Sequence, residues 1–332
     1  MDSLTQVVLG AAVAEAAFGK KIGSRAILWG GVAGTIPDLD VIVSPFFDPV
    51  TALFVHRGFS HSLLFPFIVA PLVGWLISKI ERNATGMNWR HWTLLAFLSI
   101  FTHSFIDYFN SYGTGIFEPF SSYRLAFDSI GIIDFFYTLP FLATITWLMF
   151  YPAGHKMRKV LVWTGILVST LYLGYTVSNK FKVEGEVKRE LASNGIAYER
   201  VLSSPLPMTN FLWMVVVQDN AGFYIGYRSV FDGDKPTKFD YVKQNNHLLT
   251  HFEQDRAIAG LKRFTKGFYV VEVDDDGRLW LHDLRFGGLA RGEFVFSFQL
   301  KPSLDGVEVT REHPNRRFTP ENIRRYWKRI GL

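Results

Sequence analysis

Long apolar runs fill the first half of the chain and give out near residue 178, after which apolar and charged residues alternate. Five runs, at about 26–43, 61–79, 92–109, 132–151 and 159–178, approach the roughly 20 apolar residues that a helix needs to cross a bilayer. A sixth segment, SLTQVVLGAAVAEAAF at 3–18, reads as a further helix, spanning or re-entrant, interrupted by Glu15. Beyond 178 the period changes. FLWMVVVQ (211–218), GFYIGYRSV (222–230), GFYVVEV (267–273), LWLHDLRF (279–286) and EFVFSFQL (293–300) read as strands, with turn signals such as DDDG (274–277) between them. Helices are expected near 243–264 and 319–330. The expected fold class is an N-terminal α-helical transmembrane bundle, residues 1–178, followed by a soluble C-terminal α+β domain with an antiparallel sheet, residues 179–332.

Charge fixes an orientation for those runs. Lys20, Lys21 and Arg25, then Lys79, Arg82 and Arg90, then Lys156, Arg158 and Lys159 occupy alternate loops, whereas the loops at 44–60 and 110–131 carry only Arg57 and Arg124. Short basic loops stay in the cytoplasm, so the second pair of loops and the C-terminal domain are expected outside the cell membrane. The net charge of +5 is spread along the chain without a basic block, which argues against a nucleic acid partner. The segment from Met1 to Phe18 lacks the basic start of a cleavable signal. Cysteine is absent, which excludes disulfides and thiolate metal sites and leaves His, Asp and Glu as the only available ligands.

On this topology the ionisable residues converge. Asp38 and Asp40 (TIPDLD), His56 and His61 (HRGFSHS), His103 and Asp107 (FTHSFIDYFN) and Asp134 (GIIDFF) all fall at the outer ends of different runs. Ionisable groups at membrane depth are costly and point to function. His103 and Asp107, four apart, share one helix face and can meet one ion. Pro37 steers Ile36 away from helical geometry, so Asp38 and Asp40 are expected on one side of an extended turn. Such a sulfur-free set suits a divalent ion, zinc first, with manganese or iron as alternatives, or a two-metal cluster. Asp40 or Asp107 is the expected proton acceptor for metal-activated water, with Arg57 and Arg124 placed to fork an anionic oxygen or to pair with Asp48, Glu118 or Asp128. Ser60 and Ser62 read as caps more readily than as nucleophiles. A rival set, His247, His251 and Asp255, is spaced i, i+4, i+8 on the helix expected at 243–264 and reads as a solvated flank.

MDSLTQVVLG, AGTIPDLDVI, HRGFSHS and THSFIDYFNSYGT, in that order over roughly residues 1–150, resemble the YdjM-type family of membrane-bound, metal-dependent hydrolases. That family is in turn remotely similar to the zinc-dependent phospholipase C and P1 nuclease superfamily. The resemblance implies Asp38, Asp40, His56, His61, His103 and Asp107 as metal ligands and phosphoester hydrolysis as the activity. Where many relatives carry His, this chain has Gln6, a poor zinc ligand, which implies a missing ligand or a rearranged site. Glu15 is expected behind the ligands at most. The resulting expectation is a membrane hydrolase acting on a lipid or lipid-linked phosphoester at the outer face. The alternatives are a metallohydrolase of amide or carboxylic ester bonds, or a non-enzymatic metal-binding transporter or scaffold. A transporter would carry polar residues through the bilayer midplane, and the two strongest runs lack them.

Overall fold

A computed structural model describes residues 1–82, 86–287, 294–303, 306–312 and 319–331. The chain divides into two compact units. One comprises residues 1–46, 55–127 and 132–175, and the other residues 47–54, 128–131 and 176–332.

In chain order the helices begin with α1 (Ser3–Ile22), α2 (Ser24–Thr35), α3 (Pro49–Val55), α4 (Phe65–Ile80), α5 (Trp89–Asp107), α6 (Phe135–Leu148) and α7 (Lys156–Ser193). Asp2 caps α1 by accepting from Thr5 N, and Asn88 caps α5 by accepting from Arg90 N and His91 N, which satisfies donors that the first turn leaves open. Helices α1 and α2 pack closely because Gly10 and Gly30 face each other: a Cβ on Gly10 would fall 2.4 Å from the Gly30 carbonyl oxygen. Ala14, Phe18, Ile22, Ala26, Ile77, Trp92 and Leu95 form one core of this unit, and Ala33, Ala70, Ala96 and Ile100 form another.

The basic loops meet at one end. Arg25 pairs with Glu81 at 3.4 Å, and Trp29 Nε1 donates to the same carboxylate at 2.9 Å, so the start of α2 meets the end of α4. Ile22 and Met87 pack into the core beside them.

Among the described residues, membrane-crossing potential is concentrated in α7, whose 38 residues are long and apolar enough to cross. Two further candidates exist only if a bent pair counts as one span: Ser24–Thr35 with Pro37–Phe46, and Pro49–His61 with Phe65–Ile80. Thus the runs expected at 26–43 and 61–79 are broken helices, and α6, at 14 residues, is a shorter apolar helix. The run expected to stop at 178 continues helically to Ser193; its residues beyond Tyr175 belong to the second unit. The break in the first run also differs from expectation. Ile36 is helical (φ −57°, ψ −43°), and Pro37 opens a 3-10 helix, Pro37–Ile42, where its missing N–H costs nothing. With three residues per turn, Asp38 and Asp40 point about 120° apart, not to one side.

The second unit holds two four-stranded antiparallel sheets, each a simple meander. The first is β1 (Arg200–Pro205), β2 (Leu212–Gln218), β3 (Gly222–Ser229) and β4 (Phe239–Lys243); the second is β5 (Tyr269–Val273), β6 (Leu279–Gly287), β7 (Phe294–Ser303) and β8 (Gly306–Glu312). Glu293, at the start of the strand expected at 293–300, lies outside the described residues. Strand β2 is covered on both faces. Trp213, Val215 and Val217 meet Val183, Val187 and Leu191 of α7, while Met214 and Val216 join Val270, Leu284, Tyr326 and Ile330. Its near-continuous apolar sequence follows from that double burial. The helix expected at 243–264 is two elements, a 3-10 segment (Asn246–Phe252) and α8 (Arg256–Phe264). Asp255 breaks it by capping α8 through Ala257 N and Ile258 N, so His247, His251 and Asp255 form no ladder on one helix. The terminal helix α9 (Pro320–Ile330) lies where it was expected.

Candidate metal centre

At the end of the first unit away from the basic loops, four side chains converge: Asp38, His61, His103 and Asp107. One ligand atom from each lies within 4.8 Å of all the others. Helix α5 supplies His103 and Asp107 on its buried face, the 3-10 helix after α2 supplies Asp38, and a short 3-10 turn, Phe59–His61, supplies His61. The Nε2 atoms of His61 and His103 are 3.0 Å apart; Asp38 Oδ1 is 3.4 Å from each of them, and Asp107 Oδ2 is 3.4 Å from His61 Nε2. His61, His103 and Asp107 are fully buried.

The surrounding hydrogen bonds decide where the imidazole protons sit. A carbonyl only accepts, so the Gly34 carbonyl, 2.5 Å from His103 Nδ1, holds a proton on that nitrogen and leaves Nε2 bare. Ser60 Oγ donates to Asp40 Oδ2 at 2.8 Å, which leaves its lone pair to accept from His61 Nδ1–H at 2.9 Å. His61 Nε2 is therefore bare as well. With both imidazoles neutral, two lone pairs and two carboxylate oxygens then face one another, and Asp107 Oδ2, beside the Arg57 guanidinium, makes no hydrogen bond. A proton relieves one such pair; a divalent cation relieves all four. Two imidazoles and two carboxylates without sulfur fit zinc, manganese or iron, and four ligands are the complement of one ion.

Asp40 and His56 are not among the four. Asp40 Oδ1 contacts His56 Nδ1 at 2.9 Å, while its Oδ2 accepts from Arg57 N and from Ser60, so this carboxylate lies behind His61 on the Nδ1 side. Both of its oxygens are engaged there, so Asp40, expected among the ligands, stands outside the four and contacts His61 through Ser60. Asp107 is steadied by Gln6 Nε2 (3.2 Å) and Asn110 Nδ2 (3.3 Å) and is paired with the Met1 amino group. Gln6 thus supports Asp107 from behind, through an amide donor.

Arg57 is buried against the cluster, its Nε 3.1 Å from Asp107 Oδ2 and its guanidinium 5.1 Å from the Tyr112 ring. Its Nη1 has no hydrogen-bond partner. Its backbone is left-handed (φ 58°), a conformation that a non-glycine residue adopts only where its surroundings impose it. Arg124 has a different task from the anion fork expected of it. It donates to the carbonyls of Gly113, His56 and Arg57 and lies 3.7 Å from Glu118, so its guanidinium is occupied in tying loop 113–125 to the His56–Arg57 segment. Asp134 is not brought to the cluster. It caps α6 through Phe136 N and accepts from the Tyr172 hydroxyl at 3.0 Å. Glu15 is committed to Arg158, and Asp48 caps α3 through Val50 N and Thr51 N.

Residues 1–183, which hold every member of this cluster, match the sequence profile of the YdjM inner membrane protein. The chain belongs to the YdjM inner membrane protein family. It is an inner membrane protein with a helical N-terminal region and an antiparallel C-terminal unit. It is similar to the uncharacterized protein YfhP of Bacillus subtilis, 29% identical over 240 residues, or 68% of each chain. It is also similar to the inner membrane protein YbcI of Escherichia coli, 35% identical over 97 residues, which are 29% of this chain and 54% of that one. No solved structure matches the chain.

The sequence did not point to Gly34, Asn110 or Tyr112. Gly34 acts through a backbone carbonyl, which leaves no side-chain signal, and the other two follow Asp107 in a loop whose path spacing cannot give. Ser60 had a readable signal: it is a hydroxyl adjacent to a ligand histidine.

Proposed function

We propose that this YdjM-family protein is an integral membrane metal-dependent hydrolase, with residues 1–178 as its helical membrane region. It cleaves a phosphoester of a lipid or lipid-linked headgroup at the outer face. The observation that carries this reading is the convergence of four acceptors, His61 Nε2, His103 Nε2, Asp38 Oδ1 and Asp107 Oδ2, three of them on fully buried residues. A bound ion there supplies an activated water by lowering its pKa toward neutrality. The chain's own residues do the rest. Asp40 and Ser60 keep His61 Nε2 free of a proton. Gly34 does the same for His103. Arg57, whose Nε lies 3.1 Å from Asp107 Oδ2, keeps an Nη1 donor without a hydrogen-bond partner, which an anionic phosphoryl oxygen would complete. Asp38, the least buried of the four, would hold the ion on the side nearest solvent.

Metal content measured by elemental mass spectrometry on detergent-purified protein tests this reading. Near-stoichiometric zinc, manganese or iron is expected in the wild type and is lost in His61→Ala and in His103→Ala. Folded wild type that takes up no metal on reconstitution overturns it. Orientation is a separate prediction, supported by the basic loops that meet at the end opposite the cluster. Reporters fused after residues 120 and 332 are expected outside the cytoplasm, and a cytoplasmic residue 332 overturns the outer-face assignment.

A further inference from the structure

Helix α5 has two faces. One buries His103 and Asp107; another carries Phe97, Phe101 and Phe105 at i, i+4 and i+8. These rings belong to a continuous ladder. Phe67 of α4 meets Phe97 at 4.9 Å, Phe97 meets Phe101 at 5.8 Å, and Phe101 meets Phe105 at 6.3 Å. Phe105 then meets Phe109 at 5.4 Å, and Phe109 meets Phe127 at 5.7 Å. Phe67, Phe105 and Phe127 are all exposed.

The lower end of the ladder reaches the segments that build the cluster. Phe127 N donates to the Tyr108 carbonyl, and the Tyr108 hydroxyl donates to the His61 carbonyl. Loop 113–125 is fastened to the His61 segment by Gly115 N to Arg57 O (2.9 Å) and Leu63 N to Ile116 O (3.0 Å). From this fastened loop Phe117, Phe120 and Tyr123 project outward, with Phe120 84% exposed. The segment carrying Asp38 does the same with Leu39, Val41 and Ile42, and Phe46 just beyond it is 85% exposed. A loop pinned by backbone hydrogen bonds that still presents large apolar side chains is built for an apolar neighbour.

We propose that this surface is a lipid-binding rim: acyl chains of the bilayer lie along the Phe97–Phe105 ladder and against Phe46, Phe117 and Phe120, beside the candidate metal centre. Continuity selects the occupant. The ladder runs without a break onto α4, whose Ile68, Leu72, Trp75 and Leu76 are exposed on a helix of an inner membrane protein. Where the hydrolase reading holds, and this step rests on it, the substrate is an amphiphile that reaches the cluster sideways from the bilayer, its tails staying on the rim.

The absence of cysteine makes the test direct. Single variants Phe46→Cys, Phe105→Cys and Phe120→Cys, with Asp275→Cys as an exposed control in the second unit, are labelled with a nitroxide. Each is reconstituted at low density into phosphatidylethanolamine–phosphatidylglycerol nanodiscs. Oxygen, which concentrates in lipid, should relax labels 46, 105 and 120 more than a water-soluble nickel chelate does, with the reverse at 275. Nickel-dominated relaxation at 46 and 120 overturns the rim. So does strong label–label coupling at these positions, which would mean that a second copy covers them. Metal content is measured on the same samples: a lipid-exposed rim without metal sinks only the hydrolase reading, and metal with water-exposed labels sinks only the rim.

Discussion

Two groups of buried ionisable side chains in the helical unit differ in kind. Glu15 and Arg158 form a closed pair: two parallel hydrogen bonds of 2.8 Å join them, and Arg158 Nη1 also donates to the carbonyls of Leu148 and Tyr151. Every charge there meets its opposite. At the other group, His61, His103, Asp38 and Asp107 turn acceptors toward acceptors, and the atoms left without hydrogen bonds, Asp107 Oδ2, Arg57 Nη1 and Gln6 Oε1, gather around them. A buried pair that is complete within the chain holds elements together. A buried set that is incomplete within the chain is finished by something else, and that difference separates architecture from function.

The largest expected effect tests the closed pair. Arg158→Ala strands the Glu15 carboxylate, which is 4% exposed, and should destabilise the protein by about 3–5 kcal/mol. Replacing both partners, Glu15→Gln with Arg158→Met, should recover most of that loss. Thermal unfolding in detergent reads both changes, and bound metal per folded molecule should stay at the wild-type value in each. If Arg158→Ala strips metal from protein that remains folded, Glu15 and Arg158 belong with the cluster and the distinction fails.

The sequence announced the cluster more completely than it announced the helices around it. His103 and Asp107 were legible because a spacing of four fixes one face of α5. His61 and Asp38 were legible because ionisable residues at the mouths of apolar runs need a reason. The roles of Asp40 and His56 were not legible, since a ligand and the carboxylate behind it are the same residue types a few positions apart; only the 3-10 turn at Pro37 sends Asp38 to His61 Nε2 and Asp40 to Nδ1. Asp134 was misjudged for a related reason: an aspartate before an apolar run is as good a helix cap as a ligand, and here it caps α6. The apolar count favoured five spans, but apolar runs do not report where a chain bends, and Ile36–Pro37 and His61–Leu64 bend two of them. In the second unit the doubly buried strands β2 and β6 were plain. The edge strands β1, β4 and β8 were missed: exposure erases the apolar pattern in β4 and β8, and β1, though largely buried, is short and carries Ser203, Ser204 and Pro205 in place of an apolar run.

The smallest expected effect asks how the incomplete set is kept incomplete. Asp40 accepts from Ser60 Oγ–H, and that choice obliges Ser60 to accept from His61 Nδ1–H. In Asp40→Ala the acceptor of the Ser60 proton is removed outright. Ser60 is then free to donate to His61 Nδ1, which moves the imidazole proton to Nε2, into the space where the four acceptors meet. The metal must displace that proton, so its affinity should fall about 10–100-fold, the range found when a carboxylate behind a ligand histidine is removed. Ser60→Ala should cost less, because Asp40 Oδ2, 3.5 Å from His61 Nδ1, still favours the proton there. Metal titration against a competing chelator measures both variants, and nitrogen NMR of His61 reports the tautomer directly. Unchanged affinity with His61 protonated on Nδ1 in Asp40→Ala would leave Asp40 a bystander, and the bare Nε2 would have to be secured by Ser60 alone.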